Sequence, residues 1–316
     1  MISYSVLSGA FLGWSLGAND ASNVFGTAVS TRIVKYSTAI ILTSVFVILG
    51  AYIDGHRGVH KLSDYAYNGG IDTPMAAFLV MLAAALTVTV MTILKLPVST
   101  SQAVIGAIMG GGILAGKTDF AYTTQFLSAW IITPIGAMLI SFILYTLIAK
   151  FVEGQIKNLM VYDLMIKVGY YLAGIFAAYS LGANNVANVT SIYTGQLNLI
   201  TTKQAVIVGG VSIALGVLTF SKQVMFTVGK GLVPLSPMSG FVSVLSAAIT
   251  VYIYALIGIP VSTSQAIVGA VVGIGLVKGV KNVNVKTLSN ILFAWFGTPT
   301  VAGIVSLLFC FIWKAL

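Results

Sequence analysis

The sequence has very little charge for its length. Of its 316 residues only 7% are charged, while 58% are hydrophobic. A soluble domain averages about 25% charged residues, and a chain with so few charges could not cover its own surface in water. The composition therefore excludes a soluble globular protein and predicts a multi-pass protein of the cell membrane.

The chain also lacks cysteine pairs and a basic N-terminal region. Cys310 is the single cysteine, so no disulfide can form within the chain. The first basic residue is Arg32, and we therefore expect no cleaved signal peptide. His56 and His60 lie four residues apart with acidic residues nearby. They could hold a metal ion, but we interpret them as part of a solvated loop.

Long apolar stretches make up most of the chain. A membrane-spanning helix needs about 20 mostly apolar residues. Such stretches cover residues 2–30, 37–53, 75–95, 98–116, 121–149, 168–193, 202–220, 238–258, 261–278 and 287–313. Ten crossings are therefore the upper count, and the shorter stretches could be re-entrant.

The chain contains an internal repeat. Residues 15–24 (SLGANDASNV) match residues 180–189 (SLGANNVANV) at an offset of 165, and residues 97–103 (PVSTSQA) recur unchanged as residues 260–266. Trp130 followed by Thr133-Pro134 matches Trp295 followed by Thr298-Pro299. Three matches in the same order indicate a duplicated unit.

The parity of the crossings predicts how the two copies are oriented. Each copy crosses five times if residues 75–116 form two spans, and three times if they form a re-entrant hairpin with its tip near Pro97. Both numbers are odd, so the second copy is inverted. We predict an all-α integral membrane protein with two inverted-topology repeats, broken helices and re-entrant-type helical hairpins. The first repeat is residues 1–149, the linker 150–167 and the second repeat 168–316, an organisation typical of secondary transporters.

The polar tract after each repeated proline is the first candidate site. Proline favours a helix start, so the tract lies in a first turn, where N–H groups lack partners and the helix dipole is positive. Such an end binds anions. The predicted anion ligands are Thr100, Ser101 and Gln102 from the first copy and Thr263, Ser264 and Gln265 from the second. The alternative is that the hydroxyls only bond back to carbonyls of their own helices.

The Gly-Ala-Asn tract of each copy is the second candidate site. It places amides and a carboxylate in an apolar helix, where they are costly unless they find partners or line a cavity. Asp20 lies within a predicted span and its counterpart is Asn185, whereas we place the other acidic residues, Asp54 among them, in connections. Oxygen donors with a carboxylate suit sodium, although contact between helices is an alternative role. The predicted sodium ligands are Asn19, Asp20, Asn23, Ser99, Asn184, Asn185, Asn188 and Ser262, with Asp20 and Asn185 also contacting the anion.

The two Gly-Ala-Asn tracts and the paired Pro-Val-Ser-Thr-Ser-Gln tracts resemble the signature of the inorganic phosphate transporter (PiT) family. The resemblance spans nearly the whole chain. It implies inverted repeats, phosphate as the substrate, coupling to sodium or protons, and assembly as a homodimer. The family pattern often has an acidic residue where this chain has Asn185, which argues against two equivalent cation sites.

We predict a secondary transporter that carries inorganic phosphate by symport with sodium ions and needs no other cofactor. Symport with protons, or of another oxyanion such as sulfate, are the alternatives. Phosphate at neutral pH still has a proton to donate to Asp20, whereas sulfate has none. An enzyme would need a nucleophile–base pair or a metal cluster, and an isolated Cys310 with two loop histidines supplies neither. A channel would not need proline-broken half-helices from both copies.

The basic residues predict the orientation in the membrane. A formal net charge of +9 would suggest nucleic-acid binding in a soluble protein, but here most basic residues lie between apolar stretches. With the N-terminus outside and five crossings per repeat, eleven basic residues lie inside and five outside. The positive-inside rule therefore places both termini outside.

This orientation can be tested by labelling single cysteines in intact cells. In a Cys310→Ser background, an impermeant thiol reagent should label a cysteine placed at Leu316. It should leave cysteines placed at Thr31 and Asn158 unlabelled. Labelling at position 158 without labelling at position 316 would show the opposite orientation.

Overall fold

A computed structural model of the chain describes residues 4–94, 98–228, 236–279 and 285–316. These residues form α-helices and two short 3-10 turns, and no strand occurs among them. The α-helices are α1 (Val6–Ser30), α2 (Tyr36–Asp54), α3 (His56–Asn68), α4 (Pro74–Ile93), α5 (Thr100–Ala115), α6 (Phe120–Gln155), α7 (Leu159–Thr190), α8 (Thr202–Val228), α9 (Pro237–Ile257), α10 (Thr263–Lys278) and α11 (Val285–Ala315). The predicted all-helical architecture is confirmed.

Most of these helices can cross a membrane. Within the described ranges, seven are long and apolar enough to do so, namely α2, α4, α6, α7, α8, α9 and α11. Helix α1 has 25 residues, which also suffices in length, but it carries the first Gly-Ala-Asn tract. Large apolar side chains such as Ile131, Ile143 and Leu172 point outward, as expected where lipid is the solvent. The chain is a multi-pass membrane protein.

Helices α5 and α10 are the short members of the set. Each has 16 residues, which corresponds to about 24 Å and falls short of a hydrocarbon core of about 30 Å. The backbone before them is not helical yet is buried, at Val98 and Ser99 and again from Gly258 to Ser262. Irregular backbone at membrane depth is tolerated only inside protein. Helices α4 and α5, and likewise α9 and α10, therefore form hairpins whose tips lie within the protein. Pro97, where we placed the first tip, lies outside the described residues.

The two halves of the chain pack into each other. Helix α1 lies along α8 and α2 along α7, while α5 lies along α11 and α10 along α6. A Cβ added at Gly17 would collide with the carbonyl oxygen of Ile213, and one at Gly182 with that of Val47. Only glycine permits such an approach of two helices. The corresponding glycines of the two copies thus make corresponding contacts, while the inverted relation of the copies stays a prediction.

Two connections are largely helical. Helix α6 continues to Gln155 and α7 begins at Leu159, so helices occupy most of the segment 150–167. That this segment links two repeats stays a prediction. The segment with His56 and His60 is helix α3, not a solvated loop. Its apolar side chains recur at helical spacing on one face and are buried, while both histidines are exposed. Burial of that face explains why the segment folds.

Candidate functional site

The tips of the two hairpins meet at the centre of the protein. The hydroxyl of Ser101 donates to the carbonyl oxygen of Val261 at 3.0 Å, and the hydroxyl of Ser264 donates to that of Val98 at 3.1 Å. The same residue of each copy therefore bonds to the same carbonyl of the other copy. These two bonds bring the N-termini of α5 and α10 together.

The first turns of α5 and α10 are capped in the same way. The N–H of Gln102 donates to Ser99 Oγ at 3.4 Å, and the N–H of Gln265 donates to Ser262 Oγ at 3.2 Å. Both serines have an extended backbone, as N-cap residues do. Both glutamine side chains are buried. Two positive helix ends thus converge in a buried region, which favours an anion between them.

The asparagines of the Gly-Ala-Asn tracts hold the two tips. Asn184 makes two bonds with the backbone of Val261, donating to its carbonyl at 2.8 Å and accepting from its N–H at 3.1 Å. Asn188 donates to Ser101 Oγ at 2.9 Å, and its counterpart Asn23 donates to Ser264 Oγ at 3.1 Å. The predicted cation tracts and anion tracts therefore form one connected site.

Asp20 is the acidic group of this site. Its Oδ2 accepts a hydrogen bond of 2.7 Å from the hydroxyl of Thr263, at the start of α10. The residue is 2% exposed, and its Oδ1 is buried without a hydrogen-bond partner in the described part of the chain. A buried carboxylate needs a compensating charge or a proton. A cation beside Oδ1 would supply that charge.

Other buried polar atoms of the two tracts also lack partners among the residues that the structure describes. They are Thr100 Oγ1, Gln102 Oε1, Asn185 Nδ2, Asn188 Oδ1 and Gln265 Oε1. Native proteins leave few such atoms, so their concentration around the meeting tips indicates a ligand-binding site. A cavity of about 20 Å³, lined in part by Asn23, Ser180 and Thr263, adjoins it. That volume suffices for one water molecule.

Trp130 and Trp295 join the same region. Both are 7% exposed, and the indole nitrogen of each is buried with no hydrogen-bond partner within the described ranges. Their burial places both indoles inside the protein and not at the membrane surface.

The tryptophans lie on α6 and α11, and glycines of α10 and α5 pack on these two helices. These glycine contacts show which residues of the hairpins lie level with each tryptophan. Gly106 and Gly110 of α5 pack on Pro299 and Gly303 of α11, in that order, so the two helices run parallel. One turn earlier, Gln102 lies level with Trp295. Gly269 and Gly273 of α10 pack in the same way on Pro134 and Met138 of α6, which sets Gln265 level with Trp130.

Asp54 is a buried acidic residue that the sequence-based reasoning misplaced. Asp54 is the last residue of α2 and is 8% exposed. It therefore lies inside the protein and not in a solvated connection. Its Oδ2 accepts hydrogen bonds from the hydroxyls of Tyr179 at 2.6 Å and Tyr252 at 3.1 Å, and Arg57 lies 3.8 Å from Oδ1. No sequence pattern indicates this cluster, because the tyrosines come from helices far away in the chain.

The structure thus brings the predicted site residues together, but it gives several of them partners within the protein. The hydroxyl protons of Ser101 and Ser264 go to carbonyls, and Ser99 and Ser262 cap helices. Asn19 donates to Thr92 Oγ1 at 3.0 Å. The ligand roles assigned to these residues stay predictions.

Comparisons with known proteins agree with this geometry. The profile described as "Phosphate transporter family" matches residues 16–306. A protein of Methanocaldococcus jannaschii named "Putative phosphate permease" is 30% identical, over 96% of this chain and 95% of its own length. A protein of Haemophilus influenzae with the same description is 24% identical, over 92% and 91%. A solved structure named "The sodium-dependent phosphate transporter" superposes with a TM-score of 0.85 over 99% of this chain and 98% of its own, at 22% identity.

Asn184 offers a test of how the second tip is held. Replacing it by alanine leaves the buried N–H of Val261 unpaired, which should cost about 1–3 kcal/mol of stability. We expect Asn184→Ala to unfold at a lower temperature than the parent in the same detergent. Asn68→Ala, at an exposed position of α3, is the control and should unfold like the parent. Equal unfolding temperatures for all three proteins would contradict the role of Asn184.

Proposed function

This chain belongs to the phosphate transporter family, and we propose that it couples the transport of inorganic phosphate to the movement of sodium ions in the same direction. The observation that carries the proposal is the position of Asp20 beside two converging helix N-termini. Such a site offers positive ends to an anion and a carboxylate to a cation. The matched family is one of transporters and not of enzymes. A site built from amides, hydroxyls and one carboxylate agrees with that role.

Phosphate would bind between the N-termini of α5 and α10. Gln102 and Gln265 supply one buried carboxamide from each copy, whose –NH2 group can donate to a phosphate oxygen, and Thr100 supplies a hydroxyl. The indole N–H groups of Trp130 and Trp295, level with the two glutamines, add a donor on each side. Each of these side chains is buried, so a phosphate oxygen would meet it in a medium where hydrogen bonds to charge are strong.

Sodium would bind at Asp20, next to the phosphate. A phosphate anion alone inside the bilayer is very costly, and a neighbouring cation reduces that cost through a short-range attraction in low dielectric. Asn23 lies on the same helix and contacts the same first turn of α10 as Asp20 does. The sodium dependence named for the matched structure supports the choice of cation.

Proton coupling is the second candidate. Asp20 is buried and bonded to Thr263, so a proton on its free oxygen would also compensate the carboxylate. Sulfate is the less favoured anion, because it has no proton to donate to that oxygen at neutral pH. Assembly as a homodimer stays a prediction.

The anion site can be tested with four single variants. Gln102→Ala, Gln265→Ala, Trp130→Phe and Trp295→Phe should each weaken phosphate binding by about tenfold to a hundredfold. Each removes a hydrogen bond to a charged group, worth about 1.5–3 kcal/mol. The measurement is phosphate affinity of the purified protein at fixed sodium. If all four variants fold normally and bind phosphate like the parent, the anion site lies elsewhere.

The cation can be tested by titrating phosphate affinity against sodium at fixed pH and ionic strength. Since each ion favours the other's binding, phosphate affinity should rise with sodium in the parent. Asp20→Asn removes the charge with little change of shape and should abolish this dependence. The control is Asp72→Asn, which removes an exposed carboxylate paired with Lys117. A phosphate affinity that follows pH but ignores sodium would identify the proton as the coupling ion.

A further inference from the structure

We infer that this transporter carries one sodium ion for each phosphate, bound in the half-site of Asp20. The matching half-site around Asn185 offers hydrogen-bond donors to a phosphate oxygen and does not bind a second cation. The inference rests on the proposed sodium-coupled transport of phosphate and specifies its stoichiometry. It follows from the hydrogen bonds that fix the direction of two buried amides.

The direction of the Asn188 amide is fixed from the second hairpin tip. The carbonyl oxygen of Val261 can only accept, so the hydroxyl of Ser101, 3.0 Å away, gives its proton to that carbonyl. Ser101 Oγ can then only accept a further bond. The Asn188 atom at 2.9 Å from it must therefore be the amide nitrogen, Nδ2.

The direction of the Asn185 amide follows from that of Asn188. The same Nδ2 of Asn188 lies 3.0 Å from Asn185 and donates to its Oδ1. The oxygen of Asn185 is thereby engaged, and its nitrogen forms the other end of the amide. That nitrogen is buried and has no hydrogen-bond partner in the described part of the chain, and the whole residue is 1% exposed. A free N–H donor repels a cation and binds an acceptor such as a phosphate oxygen.

The first copy has the same network up to the residue that differs. Ser264 donates to Val98, and Asn23 donates to Ser264 in turn. At the position of Asn185 stands Asp20, whose Oδ2 accepts from Thr263 and whose Oδ1 is left without a partner. The corresponding position therefore presents a charged acceptor in one half and a neutral donor in the other.

The neighbouring hydroxyls and amides strengthen the difference. Thr263 gives its proton to Asp20, whereas the hydroxyl of its counterpart Thr100 has no partner among the described residues and is available to a phosphate oxygen. Asn188 Oδ1 is an unpartnered acceptor in the second half. A neutral amide oxygen without a carboxylate compensates poorly for the loss of water around a sodium ion. The second half therefore favours the anion.

The stoichiometry can be measured in proteoliposomes that take up radiolabelled sodium and phosphate together. The parent should take up about one sodium per phosphate, and phosphate uptake should depend on sodium with a Hill coefficient near one. Asn185→Asp restores a carboxylate to the second half, so the ratio should rise to about two and the sodium dependence should become steeper. The control Asn68→Asp adds a carboxylate at an exposed position and should leave the ratio unchanged.

The possible outcomes separate this inference from the proposed function. A ratio of two or more in the parent would overturn the single cation site and needs no variant that could misfold. An Asn185→Asp variant that transports phosphate at the parent's ratio would also overturn it. If the parent takes up phosphate with no response to sodium, sodium coupling itself fails.

Discussion

The structure depends on one constraint, which is that helix ends inside a membrane have no water to bond to. Helices α5 and α10 begin at the centre of the protein, where each exposes unpaired N–H groups and a positive dipole end. The protein satisfies the backbone before them with side chains: Ser101 and Asn184 bond to Val261, and Ser264 bonds to Val98. What the side chains leave unsatisfied is then available to an anion. The proposed anion site is thus a consequence of breaking two helices in lipid.

Close packing makes this arrangement possible. Broken helices with buried tips would be unstable if lipid or gaps separated them from their neighbours. Glycines let the intact helices approach until backbone meets backbone, as at Gly17 against Ile213 and at Gly106 against Pro299. In the absence of a hydrophobic force between helices in lipid, such contacts supply much of the association energy. The glycines of the Gly-Ala-Asn tracts therefore serve packing, while the asparagines beside them serve the site.

Much of the fold and of the candidate site was predictable from the sequence, because duplication makes weak signals specific. A serine-rich tract means little alone, but an identical tract behind a proline in both halves predicts a paired helix start. The cluster of Asp54 with Tyr179 and Tyr252 was not predictable, because these residues have no repeated motif and meet only through tertiary packing. Helix α3 was not predictable either, because a short segment with two histidines and few apolar residues resembles a loop until its buried face is seen. The roles of Trp130 and Trp295 required the register between helices, which depends on glycine contacts across the two halves.

The two halves share one scaffold yet differ in charge, and the hydrogen bonds indicate how that difference is tolerated. The bonds that hold the tips together run through Ser101, Asn188 and Val261 in one half and through Ser264, Asn23 and Val98 in the other. None of these bonds uses the side chain of Asp20 or requires a charge at Asn185. The residue at that position lies at the end of the network, so its charge can differ without disturbing the contact between the tips. A duplicated scaffold of this kind can therefore change the charge that it offers at one position while keeping both hairpins in place.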